Sequence, residues 1–450
     1  MMRRIVLFFT LFLLASPAWA QSGGYKEPDD DKPAQRYANM PDEAVPYRRF
    51  TKPYYDWFVQ TDTLAYYGAA EKRPDGNPSK LSEIAIGFMA PIENNPESIF
   101  GLPMLHGAQL AIDEANARGG YHGKRYSLKV HNESALWGAS SSELVKMLFN
   151  ENCWAMVGCV DGQNCHIANR VTLKLEVPIM DVGTTDPTVT ETRVPWIMHD
   201  FLDDRQQGYT LADYVFKKLK LNRIGVIRTQ TRYARIGVGK FNDEARRMGR
   251  QPILEVKFER GDRDFTQQLN MLKNAKIEGV IIWGEAADAG LILKQMRALG
   301  MKQPVFGGSR LAYPRLLEIA GPTAEGMVMT TTLDPTRQDP KWLAFREAYR
   351  KRFNEEPIDY AAYAYDGMNI LTAAIEKVGL NRGRIMAALR DYQMKTYEGV
   401  TGKAFFDHTL NNISPVTMAR VKDGKLEYWL APRQGGHEGA SSTSGGRGGQ

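Results

Sequence analysis

From residue 81 onward the chain alternates short apolar runs with amphipathic stretches, and few folds accommodate that order. Residues 84–89 read as a buried strand, and 107–117 as a helix with Ala108, Leu110, Ala111, Ile112 and Ala115 along one face. Gly119-Gly120 supplies the stop. The strand signal returns at 126–130, 155–160, 177–182, 196–200, 224–227, 253–258, 279–283, 305–306 and 326–331. Helical patterns separate most of these runs, at 140–150, 206–219, 239–248, 265–275, 286–299 and 314–320. Further helices are expected at 341–353, 360–378 and 385–392, and a hairpin over 402–421 turning at Asn411-Asn412. Strands alternating with helices imply an α/β class with parallel sheets. So many units exceed what one ordinary sheet needs, so two Rossmann-like lobes are expected.

The ends of two of these strands draw attention. The run at 155–160 breaks into Asp161-Gly162-Gln163-Asn164, and the run at 177–182 into Gly183-Thr184-Thr185-Asp186-Pro187. Each polar turn opens a helical pattern. Open α/β sheets bind ligands beyond the carboxyl ends of their strands, where helix N–H groups face the solute.

A chain of 450 residues with 43% apolar and 24% charged residues is long enough for two packed lobes plus extensions. The first twenty residues have a basic start at Arg3-Arg4, an apolar core over 5–15 and an Ala18-Trp19-Ala20 cleavage pattern. This reads as a signal peptide for export to the periplasm, with no cysteine at the cleavage site to carry a lipid. Without Arg3 and Arg4 the charge falls from +6 to +4, and its scatter gives no reason to invoke nucleic acid. No later apolar run suggests a membrane-embedded chain.

Cys153, Cys159 and Cys165 precede His166 in a C-x5-C-x5-C-H spacing, which matches neither zinc nor haem attachment. Along one strand Cys153 and Cys159 would lie about 20 Å apart, and a disulfide needs about 7 Å or less. Cys159 and Cys165 could meet across the turn. No cofactor or metal is expected, although Asp161, Asp181, Asp186, Glu285 and Asp288 are acids of the type a hard cation takes. No nucleophile–base arrangement, P-loop or zinc-protease motif is present, so an enzyme is the weaker class.

Residues 21–80 differ from the rest. Tyr47, Phe50, Tyr54, Tyr55, Trp57, Phe58, Tyr66 and Tyr67 crowd into 21 residues. Such an arm either packs back on the body or offers a protein partner an aromatic surface through 47–67. The Gly/Ser-rich tail over 433–450 is expected to be disordered.

Several dispersed motifs complete the reading. They are Gly107-Ala108-x-Leu110-Ala111-x-Asp113-Glu114-x-Asn116-x-x-Gly119-Gly120-x-x-Gly123, Val177-Pro178-Ile179, Thr185-Asp186-Pro187 and Asp264-Phe265-Thr266. Gly321-x-x-Ala324-Glu325-Gly326-Met327, Tyr360-Ala361-Ala362-x-Ala364-Tyr365-Asp366, and Gly399-Val400-Thr401-Gly402 with Phe406-Asp407 follow. In this order and spacing the chain resembles the leucine/isoleucine/valine-binding type of periplasmic solute receptor, the type I binding proteins that feed ABC importers. The resemblance implies one lobe of 81–200 plus 332–413 and another of 201–331 plus 414–432. It places hinge crossings near His199-Asp200, Thr331-Thr332 and Ser414-Pro415.

It further implies a small-molecule solute delivered to an importer permease. The implied contacts come from Asp161, Gly162, Gln163 and Asn164 at one strand end, and from Gly183, Thr184 and Thr185 at the next. Tyr233, Glu285, Ser309 and Arg310 face them from the other lobe. Where the family holds an acid for the solute's ammonium, this chain has Ser309-Arg310. That departure favours a carboxylate without an amine, gripped by Arg310, unless Glu285 or Asp161 receives the ammonium. Thr185 is equally a helix N-cap by its chemistry. A receptor that senses the solute and docks a periplasmic partner through its arm is the alternative function, and a metal-binding protein or an enzyme a more distant one.

Overall fold

The computed structural model describes residue 72 and residues 74–134, 137–192 and 194–430. The expectations for the leader, the aromatic arm and the tail fall outside the described residues.

Two sheets organise the chain. The first comprises β1 (Ile84–Ala90), β2 (Tyr126–Asn132), β3 (Met156–Gly158), β4 (Ile179–Asp181) and β5 (Ile197–His199), in the order β2-β1-β3-β4-β5 with every pairing parallel. The second contains β6 (Ile224–Thr229), β7 (Leu254–Phe258), β8 (Gly279–Trp283), β9 (Val305–Gly307) and β10 (Val328–Thr331). Its order repeats the pattern as β7-β6-β8-β9-β10, all parallel. After a small separate hairpin of β11 (Thr396–Gly399) and β12 (Gly402–Phe405), β13 (Thr417–Lys422) and β14 (Lys425–Leu430) extend the second sheet as an antiparallel edge.

Each sheet has helices on both faces. Ile84, Ile86 and Phe88 pack on helices Ser98–Ala117 and Asp359–Val378, while Met89 and Met156 face Leu144 and Cys165 on the other side. The second sheet buries Ile227, Val280 and Ile282 on one face and Val226, Ile281 and Phe306 on the other. Central strands buried on both faces account for their unbroken apolar runs.

Several motif residues serve this scaffold. A Cβ on Gly107 would meet the Ala361 carbonyl oxygen at 2.0 Å, so helices Ser98–Ala117 and Asp359–Val378 approach backbone to backbone. The Asn116 side chain donates to the Tyr126 carbonyl at 2.9 Å and accepts from the Tyr126 N–H at 2.7 Å, tying that helix to the start of β2. Asp366 accepts from the Val400 and Thr401 N–H groups and the Thr401 hydroxyl, which anchors the β11–β12 turn. Replacing Gly107 by Ala should cost about 1–3 kcal/mol, because backbone rather than a flexible side chain must yield. Urea denaturation of the variant with an unchanged midpoint would refute this packing argument.

Two sequence expectations fail in instructive ways. The helix expected from 107 begins at Ser98, with Pro103 inside it. Proline removes one bond to the preceding turn, here near the helix start beside Ile99, which is exposed and can leave its carbonyl to water. Asn411-Asn412 is not a hairpin turn. The Asn412 N–H donates to the His199 carbonyl and the His199 N–H to the Leu410 carbonyl, while the Asn411 side chain donates to Asp203 and that of Asn412 to the Asp200 carbonyl. The pair therefore stitches two of the three segments in which the chain passes between sheets. Gln206 donates to the Asn412 carbonyl at 2.8 Å and adds to the same seam.

Candidate functional site

Both sheets carry the strand order whose reversal point lies between their first and third strands, and the polar turns beyond those carboxyl ends face each other. After β3, Asp161 caps helix Gly162–Leu175, one carboxylate oxygen accepting from Gln163 N–H at 2.9 Å and Asn164 N–H at 3.1 Å. The turn itself is held from behind. Buried Glu133 accepts from Val160 N–H at 3.1 Å, Asp161 N–H at 2.9 Å and the Asn164 side chain at 3.1 Å. Burial, together with nearby Asp161, pushes the Glu133 carboxyl up to about 8, against three donors that favour its ionised form.

After β4, buried Asp181 accepts from Gly183 and Thr184 N–H groups, and burial pushes it up to about 6. His199 donates to the Thr184 carbonyl at 2.8 Å. Thr185 does not cap a helix. Its hydroxyl donates to Asp204 at 2.8 Å, and Asp204 N–H returns a bond to the Thr185 carbonyl at 2.6 Å. Asp186 instead organises the next turn by accepting from Thr188 N–H and hydroxyl.

The facing wall comes from the second sheet. Helix Arg232–Arg247 follows β6 and brings Arg232, Tyr233 and Ile236 to the cleft. Arg232 crosses it, donating to Asp186 at 2.6 Å and to the Thr188 hydroxyl at 3.1 Å. Although burial opposes its ionisation, Asp186 is held below its ordinary value by Thr188 and Arg232.

Arg310 lies in a single turn, Ser309–Leu311, after β9 and is 2% exposed. Its guanidinium sits 4.8 Å from the Phe100 ring centre and 4.4 Å from that of Tyr233, one ring from each lobe. It donates to Glu97 at 2.9 Å and to Glu285 at 3.1 Å, and Arg260 donates to the same two carboxylates at 2.8 and 3.2 Å. Burial opposes ionisation of Glu97, but Arg310 and Arg260 keep its carboxyl below the ordinary value.

Together these elements enclose a pocket with about 220 Å³ of empty space, part of it open to solvent. Of the residues expected at the ligand, Asp161, Gly162, Thr184, Thr185, Tyr233 and Arg310 line it. The others do not. Gln163 is exposed on the helix, and the Asn164 amide is committed to Glu133. Gly183 lies beneath the pocket, packed so that a Cβ would meet the Cys159 carbonyl oxygen at 2.5 Å. Ser309 donates its N–H to Gln207, and Glu285 stands behind Arg310.

Sequence reasoning missed the lining residues Val160, Asp186, Arg232 and Ile236 as ligand candidates, and the ion-pair partners Glu97 and Arg260. Arg232 stands beside Tyr233 at a helix entrance, which is the signal that could have found it.

Arg310 is thus not a free grip for an anion. Its charge is already matched by two carboxylates, as that of Arg232 is by Asp186. Asp161 makes no ion pair among the described residues, and burial and the neighbouring Glu97 raise its carboxyl. Cys153, Cys159 and Cys165 are buried free thiols. Among the described residues, no group of three or more His, Cys, Asp and Glu side chains is arranged to hold a metal ion. No described helix is long and apolar enough to cross a membrane.

The comparisons agree with this architecture. A family profile described as periplasmic binding protein matches residues 83–425. The Leu/Ile/Val-binding protein homolog 2 of Brucella abortus is 25% identical over 356 residues, covering 78% of this chain and 94% of its own. Homolog 1 of Brucella suis is 27% identical over 311 residues, covering 67% and 81%. Among solved structures, the branched-chain amino acid transporter substrate-binding protein LivJ of Streptococcus pneumoniae, in complex with isoleucine, superimposes with a TM-score of 0.70 at 26% identity. That match covers 77% of this chain and 99% of LivJ.

Proposed function

Because the chain belongs to the periplasmic binding protein family, we propose that it is the solute receptor of an ABC importer and that its solute carries an amine beside a carboxylate. The family captures small molecules between two lobes and hands them to a permease, and it is not an enzyme class. A solute that touches both walls stabilises closure by its differential affinity for the closed state.

The charge balance of the cleft carries the choice of solute. Glu97 and Glu285 offset Arg260 and Arg310, and Asp186 offsets Arg232. Asp161 remains, with one oxygen turned to its helix cap and the other left for a donor. Asp161 is half-buried, and a partly desolvated carboxylate that makes no ion pair gains from the cation a solute ammonium supplies. The Thr184 hydroxyl, which accepts from Asp186 N–H at 3.3 Å, keeps its own hydrogen for the solute carboxylate. The Leu/Ile/Val-binding relatives support an amino-acid class.

An amine-free carboxylate is the second reading. It is favoured by the Nε of Arg310, which is buried and has no hydrogen-bond partner among the described residues. It would place a second negative charge beside Asp161.

Substituting Asp161 by Asn keeps the cap acceptor and removes the charge. Affinity for an amino acid should fall by about 30-fold, the lower end for deleting one partner of a charge pair that the bound solute would cover. Calorimetric titration with unchanged affinity would remove Asp161 from this role.

A further inference from the structure

We infer that Gln207 is a positioning residue for closure, whose side chain sets the Arg310 turn where the guanidinium reaches the opposite lobe. The inference concerns how the two walls are held, and it stands whichever solute the cleft takes.

The turn cannot fix its own place. Ser309–Leu311 is a single three-residue turn, and its Arg310 carries a charge across to Glu97 and Phe100. So short a turn has little internal hydrogen bonding, and its position is set from outside. The Ser309 N–H donates to Gln207 Oε1 at 3.1 Å, and the Arg310 N–H donates to the Tyr233 hydroxyl at 3.4 Å. The second bond is long, which leaves Gln207 as the firmer anchor.

Gln207 is fully buried and commits its whole carboxamide to this junction. The same Oε1 accepts from the Thr330 hydroxyl at 3.1 Å, and Nε2 donates to the Leu202 carbonyl at 3.1 Å. Leu202 lies where the chain first passes between the sheets, and Thr330 stands near the end of β10, just before the second passage. Helix Asp204–Ala212, which carries Gln207, is held from the other side as well. Its first residue, Asp204, exchanges two hydrogen bonds with Thr185 in the polar turn of the first lobe. Asp204 and Gln207 are three positions apart, so about one helical turn joins the two walls of the cleft.

A carboxamide suits the place because it offers one oxygen to two donors and an N–H to a carbonyl. An apolar side chain of the same length would leave the Ser309 N–H buried and unbonded. The turn relieves that cost by moving, and Arg310 then loses its registration with Glu97.

The test is a double-variant cycle by urea unfolding of the purified chain, with E97Q, Q207M and the two combined. The Glu97 and Gln207 side chains share no hydrogen-bond partner, so independent roles would give E97Q the same effect in either background. The factor by which E97Q raises the unfolding constant should be at least about fivefold smaller in Q207M, where the contact it removes is already weakened. An equal or larger factor in Q207M makes Gln207 a packing residue only and overturns the inference. Q207E at pH 5 is the rescue, because a buried carboxyl keeps its proton and presents the same acceptor and donor. There the E97Q factor should return to that of the unmodified chain at the same pH, and a factor that stays low overturns the inference equally. If Q207M does not fold, Q207N, whose carboxamide is one methylene short of Ser309, is read by the same criterion.

Discussion

Replacing Glu97 by Gln should open the cleft. Glu97 precedes helix Ser98–Ala117 on the first lobe, and its carboxylate accepts from Arg310 and Arg260 on the second. Its side chain is 12% exposed and that of Arg310 is 2% exposed, so solvent screens the contact little. Breaking a buried pair by neutralising one partner costs about 3–5 kcal/mol, since the remaining charge stays desolvated. Here the protein can avoid part of that cost by separating the lobes, which returns Arg310 to water. A cost of about 3 kcal/mol corresponds to a shift of roughly 100-fold in the open-to-closed ratio. Small-angle scattering should report a larger radius of gyration for the variant than for the unmodified protein. A scattering curve that does not change, with unchanged unfolding free energy, would show that the cluster holds nothing together.

The second large effect is on pH. Burial raises the carboxyls of Glu133 and Glu244 to about 8, from an ordinary 4.5, and those of Asp181 and Asp288 to about 6, from 3.8. A folded state that holds protons the unfolded chain releases loses stability as pH rises between the two values. These groups therefore favour folding below about pH 4 and weaken it progressively up to about 8. Each contributes at most about 1.4 kcal/mol per pH unit while its folded form keeps the proton. Glu97 and Asp186 act in the opposite sense. Their carboxyls are lowered, so their stabilisation is complete above the ordinary carboxylate values and is lost only in stronger acid. Unfolding free energy should fall by several kcal/mol between pH 5 and pH 8, and Glu133→Gln should remove up to about 4 kcal/mol of that fall. Urea titrations at four pH values decide it. A flat or rising profile, or one identical in the variant, would mean that these acids are ionised in the folded protein.

What could be read from sequence follows from the range over which each signal acts. Buried parallel strands such as 84–89 and 279–283 announce themselves by unbroken apolar runs, and the alternation with helices leaves little choice of class. The strand-end turns at Asp161 and Thr184 were legible because a polar break after an apolar run marks a carboxyl edge. The sequence marks Arg310 as a site residue, but not what it does there. Its partner Glu97 is 213 residues away in the chain, and no periodicity links them. A guanidinium read alone looks like an anion grip, whereas between two carboxylates it becomes a neutral wall. Gln163 failed for a local reason. It follows the cap on a helix whose buried face is set by Asn164 and Cys165, which turns Gln163 outward. The aromatic arm at 47–67 lies outside the described residues.

The measurement that bears most directly on the account is a calorimetric titration of the purified chain with α-amino acids, each beside the same acid lacking its amine. Binding of one amine-bearing solute per chain, with the amine-free counterpart at least about 30-fold weaker, is the result expected if Asp161 supplies the missing charge partner. Equal or tighter binding of the amine-free acid would contradict it, and would return Arg310 to the role of anion grip that the sequence alone suggests.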